Sequence, residues 1–260
     1  MLPPFAGGRI DWTLRDVIFG SLWFLAFFLV IPIPFVVPFL AFGDTSQQYF
    51  GAALIAGSGS ELALVGVAAW FTFRKYGGSW ARLGFRAPAW SAVGYAAAAV
   101  GAAFALAAVY TVLIDIFDID ALRSQRDDQL PNEVLDSGVL LAMAGVAVIA
   151  FAPVCEEIFF RGFIMPGMVK AWGVPIGIAV SGLLFSAAHI GPAWHKTIVP
   201  IFIIGAVFGA AYYRSGNIFT TILAHLLFNS ISFAFLAAGD ADELAALGAA
   251  RELLAGAMGR

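Results

Sequence analysis

Long apolar runs dominate the chain, and short clusters of charge divide them. About 20 apolar residues cross a bilayer, and runs at or near that length fall at 17–42, 50–73, 89–114, 138–165, 175–190, 198–214 and 217–238. The pattern predicts an all-α, polytopic transmembrane helix bundle of about seven spans. Pro32, Pro34 and Pro38 are expected to kink or end the first run, because proline lacks an N–H and crowds the preceding turn. That run also lacks a small-residue cleavage site and is too long for the core of a secretory signal, so it reads as a membrane helix. No polar stretch is long enough to fold separately, and 1–260 reads as a single membrane domain. Beyond Asp240, Leu244, Leu247, Leu253 and Leu254 stand among charges, and 241–260 reads as an amphipathic interfacial tail.

Composition agrees with this reading. Of 260 residues, 61% are hydrophobic and 12% charged, against about 45–50% and 25% in a soluble domain. A net charge of −3 argues against nucleic acid as a partner and leaves the lipid bilayer. The single cysteine, Cys155, excludes an internal disulfide and any CxxC site, and in its apolar setting reads as a buried inert thiol. Basic residues in short loops set orientation. Arg9, Arg15, Arg74, Lys75, Arg82, Arg86, Lys170 and Arg214 fall on one side, which places the N-terminus in the cytoplasm. The loop 115–136, with Asp115, Asp118, Asp120, Asp127, Asp128, Glu133 and Asp136 against Arg123 and Arg126, reads as external. The Ala/Gly-rich composition suggests a bacterial cytoplasmic membrane. Small residues in Gly205-xxx-Gly209 and Gly177-xxx-Ser181 allow close helix approach within or between bundles, so oligomeric state stays open.

The chemistry is concentrated in Ala152–Gly162, where Glu156, Glu157 and Arg161 interrupt an apolar run. Ionisable residues at bilayer depth are costly and mark function. Glu157 and Arg161 are four apart and form an ion pair on one helical face, while Glu156 points about 100° away and stays available. Of three histidines, His189 closes Phe185-xxx-His189 and His225 opens His225-xxx-Asn229, each pair sharing a helical face. His195, in the loop 191–196, reads as an exposed residue, and Glu61 in the second run receives no role. The fourth helix is taken to end near Met165, with a turn at 166–175. At 1.5 Å per residue, Glu156, His189 and His225 then stand roughly 15, 20 and 12 Å from one membrane face. They are close enough in depth for one site.

Such a cluster supports several chemistries. Glu156 with His189 can hold and deprotonate a water, and His225 with Asn229 can stabilise an oxyanion. Alternatively, Glu156, His189 and His225 form a His₂Glu set for Zn²⁺, although no HExxH motif is present. No strand–turn–helix elbow supports serine attack. A proton- or ion-coupled transporter would also place Glu and His at midplane, but no internal repeat is evident.

Glu156-Glu157-xxx-Arg161, Phe185-xxx-His189 and His225-xxx-Asn229, in this order on successive apolar helices, resemble the CPBP (Abi) intramembrane proteases, relatives of the type II CAAX prenyl endopeptidase or Ras-converting enzyme. The resemblance covers 138–235. It implies an endopeptidase cutting a peptide or protein substrate, with or without a lipid modification, near the membrane surface. Glu156 and His189 would activate water, His225 and Asn229 would polarise the carbonyl, and Glu157, Arg161 and Phe185 would support them. Members of this family are read both as metalloproteases and as metal-free glutamate enzymes; the metal-free form is favoured, with Zn²⁺ as the alternative. A non-catalytic immunity or scaffold member of the same family is the rival role.

Overall fold

Proline and glycine decide where the apolar runs break. The computed structural model describes residues 10–42, 46–87, 89–123, 132–191 and 193–238, so the amphipathic tail expected at 241–260 lies outside the described residues. The first run divides at Ile31–Pro32 into α1 (Leu14–Val30) and α2 (Ile33–Phe42). Next come α3 (Ser46–Ala69), which continues into a π turn at Trp70–Lys75, a 3₁₀ turn at Trp80–Leu83, and α4 (Trp90–Ile116). A short α5 (Asn132–Leu135) precedes α6 (Gly138–Trp172), α7 (Val174–Ala188), α8 (Trp194–Ser215) and α9 (Ile218–Ala238). No strand occurs among the described residues.

Among the described residues, six helices are long and apolar enough to cross a membrane, against the expectation of about seven. The exception is α7: its 15 residues reach about 22 Å at 1.5 Å each, short of a hydrocarbon core of about 30 Å. His189 already leaves helical geometry, and the Ile190-Gly191-Pro192 sequence that follows opposes further helix. Two other expectations are corrected. The fourth run does not turn at Pro166 but continues to Trp172, because Pro166 falls in the first turn of a fresh α-helical stretch, where its fixed φ fits. His195 lies not in a loop but in the first turn of α8, although it is exposed as expected.

One end of the bundle is tied together by polar contacts. The buried Asp16 carboxylate accepts from the Thr13 N–H and hydroxyl and from Tyr76 at 2.6 Å, and it pairs with Lys75. Lys170 donates to the carbonyls of Ile10 and Trp12, and the Trp12 indole donates to the Phe163 carbonyl at 2.9 Å. These bonds clamp the start of α1 and the ends of α3 and α6 together. At the opposite end Arg123 pairs with Asp115, Asp118 and Asp120. Helices α3 and α6 run side by side in the same direction: Gly51 faces Leu140 near one end, while Phe71 stacks on Phe163 near the other. The main core lies at that second end, where Trp12, Val17, Leu64, Val67, Phe71, Leu83, Phe159 and Phe163 are buried together. A second core sets the alanine face of α4 (Ala96, Ala99, Ala103) against Phe208 and Ala211 of α8 and Ala224 of α9.

Helices α7 and α8 meet backbone to backbone. A Cβ on Gly205 would lie 3.1 Å from the Gly182 Cα, so the small residues here create the close crossing that lipid-embedded helices use. The Ser181 hydroxyl bonds the Phe160 carbonyl and seats α7 on α6. This packing brings α6, α7, α8 and α9 around a single polar centre.

Candidate active site

The site begins with the irregular backbone of α6. Two π-helical stretches, Val146–Phe151 and Glu157–Ile164, flank a single α turn, Ala152–Glu156. π turns within α-helices recur at functional sites, and here one has a local cause. The Ala152 N–H bonds five residues back, to the Ala147 carbonyl. The next donor in that register would serve the Val148 carbonyl, but that position is Pro153, which has no N–H. The Asn229 amide nitrogen donates to the Val148 carbonyl instead, at 2.8 Å, and so ties α9 to the bend. The two glutamates follow this bend immediately.

Glu157 and Arg161 form the buried base of the site. Both are fully enclosed, and their ion pair closes at 2.7 Å. Arg161 also donates to the Gly205 carbonyl at 3.1 Å, and its guanidinium lies over the Phe185 ring, 4.4 Å from the centroid. Phe208 flanks it on the α8 side. The same Glu157 oxygen that binds Arg161 accepts from His225 Nδ1 at 2.9 Å. One carboxylate therefore holds an arginine on its own helix and a histidine on α9, as suits a charge buried in a low-dielectric interior.

Glu156 faces the other way. Its Oε1 lies 3.6 Å from His189 Nε2, and its Oε2 lies 3.7 Å from His225 Nε2. Each imidazole is anchored through its remaining nitrogen. His189 Nδ1 donates to the Phe185 carbonyl at 2.8 Å, and His225 Nδ1 donates to Glu157. Both rings thus turn Nε2 toward the same carboxylate. Phe185 is the wedge between them, with its ring 4.7 Å from His189 and 5.8 Å from His225, centroid to centroid. Exposure falls steeply across the site: the His189 side chain is 34% exposed, Glu156 8% and His225 6%. The α7 end is the more exposed, and the α9 side at His225 is buried.

The seven residues singled out in the sequence all stand in this region, with contacts the sequence does not display. Asn229 shares a helical face with His225, but one of its amide hydrogens is engaged by Val148. The Gly205 carbonyl and the Phe208 ring, both on α8, complete the Arg161 pocket. Gly205 carried a packing signal in its Gly-xxx-Gly spacing, and nothing marked its carbonyl as an acceptor. Glu61 of α3 lies within electrostatic reach of Glu156. Glu156, His189 and His225 have the chemistry of a zinc donor set. Among the described residues, however, no three His, Cys, Asp or Glu side chains stand in an arrangement that would hold a metal ion.

Fold and site together define a helical integral membrane protein with a glutamate held between two histidines at its centre. Residues 138–231, the stretch that supplies these groups, match the family described as type II CAAX prenyl endopeptidase Rce1-like. An uncharacterized 24.3 kDa protein of Escherichia coli is 29% identical over 93 residues, which is 35% of this chain and 42% of that relative. The chain therefore matches less than half the length of that protein. No solved structure matches it.

Proposed function

We propose that the chain is an intramembrane endopeptidase that hydrolyses a peptide bond of a membrane-associated peptide or protein, with water as the nucleophile. The observation that carries this reading is the placement of Glu156 between two histidine Nε2 atoms, each ring held by a bond from its Nδ1. In this mechanism Glu156 takes a proton from a water oriented by His189, and the water oxygen adds to the scissile carbonyl. His225, protonated on both nitrogens, donates from Nε2 to the developing oxyanion, and Glu157 supports its charge. The second amide hydrogen of Asn229 is the other donor. Glu156 then returns the proton to the departing amine nitrogen as the C–N bond breaks. Water and substrate enter on the His189 side, the exposed end of the site. The family's printed name favours a lipid-modified tail as substrate, near the membrane face to which the basic end of the bundle belongs. By the rule that basic loops stay inside, that face is the cytoplasmic one, the N-terminus is cytoplasmic, and the membrane is a bacterial cytoplasmic membrane.

Glu156→Gln keeps size and hydrogen bonding while removing the base. Termini of membrane proteins would be compared by mass spectrometry in cells carrying the wild type, the variant or neither. The reading expects a terminus that depends on the wild type and is lost with the variant; full processing by Glu156→Gln would overturn it. Elemental analysis of the purified chain separates the metal-free form of the mechanism from a zinc form, for which one equivalent of bound zinc is the signature.

A further inference from the structure

Two helical stripes face each other across a groove between α1 and α3. Phe19, Trp23, Phe27 and Ile31 recur at every fourth position along α1 and its end, and Gly59, Ala63, Gly66 and Trp70 recur at three or four along α3 and its π turn. The helices run antiparallel, with Phe19 level with Arg74 at one end and Ile31 against Gly59 at the other. Between the stripes lie two cavities of about 520 and 400 Å³, and Trp23 and Trp70 line both. Their indoles stand against each other at the junction, centroids 6.0 Å apart. On one side of the junction the groove is apolar. A Cβ on Gly66 would meet nothing within 4 Å, so glycine leaves the α3 wall open there. From Gly59 to Trp70 this apolar part runs about 16 Å at 1.5 Å per residue, close to half of a hydrocarbon core of about 30 Å. It has the depth of one leaflet.

On the other side each stripe ends on a cation. One turn before Phe19 stands Arg15, whose guanidinium lies over the Phe19 ring, 5.4 Å from the centroid, and one turn after Trp70 stands Arg74. Both arginines are exposed, and among the described residues Arg74 makes no ion pair or hydrogen bond. Lys75 lines the same cavity but is already matched by Asp16. Two positive charges are therefore left over at the mouth. Arginine forks suit phosphate oxygens, and tryptophan favours the level where headgroups meet acyl chains. We propose that this groove binds one anionic phospholipid, its headgroup phosphate at Arg15 and Arg74 and one acyl chain laid from Trp23 toward Ile31. Helices already in contact at Ile31 and Gly59 leave room for an acyl chain but not for a further helix about 10 Å across. A zwitterionic headgroup would bring its own cation to a mouth that is already positive. The seated lipid ties α1 to α3 through one leaflet.

Native mass spectrometry tests the site on the full chain, released from vesicles of equal parts phosphatidylglycerol and phosphatidylcholine with identical acyl chains. The wild type is expected to retain one phosphatidylglycerol, preferred roughly tenfold or more over phosphatidylcholine. Arg74→Gln is expected to lower that preference roughly fivefold, and Arg15→Gln/Arg74→Gln to abolish it. Gly66→Leu places a side chain in the open trough of a helix that favours leucine over glycine, and is expected to lose the retained lipid with both arginines in place. Equal retention of the two lipids by the wild type would overturn the proposal. So would a preference unmoved by Arg15→Gln/Arg74→Gln, or a lipid held as firmly by Gly66→Leu as by the wild type. A lipid-free dimer of the wild type that Gly66→Leu disperses would assign the groove to a second copy and overturn it equally. No cleavage is measured, so the lipid site stands or falls apart from the endopeptidase reading.

Discussion

Arg161 is where stability and site geometry are most tightly joined, and Arg161→Met isolates its part. Methionine keeps most of the aliphatic volume in a pocket of Phe185 and Phe208, so the cavity contribution is small. What disappears is the 2.7 Å pair with Glu157, the 3.1 Å bond to the Gly205 carbonyl and the stacking on Phe185. Both charges are fully enclosed, so Glu157 is left as a buried carboxylate held only from the His225 side. Removing one partner of such a pair costs about 3–5 kcal/mol. At about 1.4 kcal/mol per tenfold, the folded-to-unfolded ratio falls by roughly two to three and a half decades. Reversible unfolding in mixed micelles, followed by circular dichroism, measures the loss. The double variant Glu157→Gln/Arg161→Met removes the orphaned charge yet keeps an acceptor for His225 Nδ1. It should recover most of the stability, with a coupling of about 2 kcal/mol or more. A single variant within about 1 kcal/mol of wild type, or a double variant no better than Arg161→Met, would refute the reasoning.

Two further outcomes follow from the geometry. Pro153→Ala restores the missing N–H, so the Val148 carbonyl no longer needs Asn229; Asn229→Ala should then cost about 1–2 kcal/mol in the wild-type background and close to nothing with Pro153→Ala, read from the same unfolding titration. Diethyl pyrocarbonate should modify His195 and the partly exposed His189 while sparing His225, which is 6% exposed; mass mapping that finds His225 modified in the folded protein would contradict the closed α9 side.

The helices were legible in the sequence because the bilayer fixes one length for nearly all of them, and an apolar run either meets it or does not. The α7 helix lay at the edge of that rule. Its run of 175–190 counts as nearly a span by composition, yet His189 and the Gly-Pro that follows stop it early. The pairing of Glu157 with Arg161 was legible because it is local, four residues apart on one helix. The bond from Asn229 to Val148 was not, since it depends on a π register that propagates from Ala147 to Pro153 and on the approach of a distant helix. Proline was the sequence mark of that bend, but the mark does not say which carbonyl is orphaned or which side chain takes it. Gly205 shows the same limit: its spacing speaks of close approach, whereas its use as an acceptor for Arg161 needs three helices in place.

The truncated α7 also makes the surrounding lipid part of the molecule's behaviour. Its outward residues, Ile176 and Leu183, are exposed on a helix about 8 Å shorter than the hydrocarbon core. Acyl chains beside it must tilt or thin to avoid facing the polar backbone beyond Ala188, and mismatch of this kind carries a modest energetic cost that grows with every ångström. A thicker membrane therefore strains the margin next to His189, and a thinner one relaxes it. The rim of the site inherits a sensitivity to bilayer thickness that no residue within it encodes.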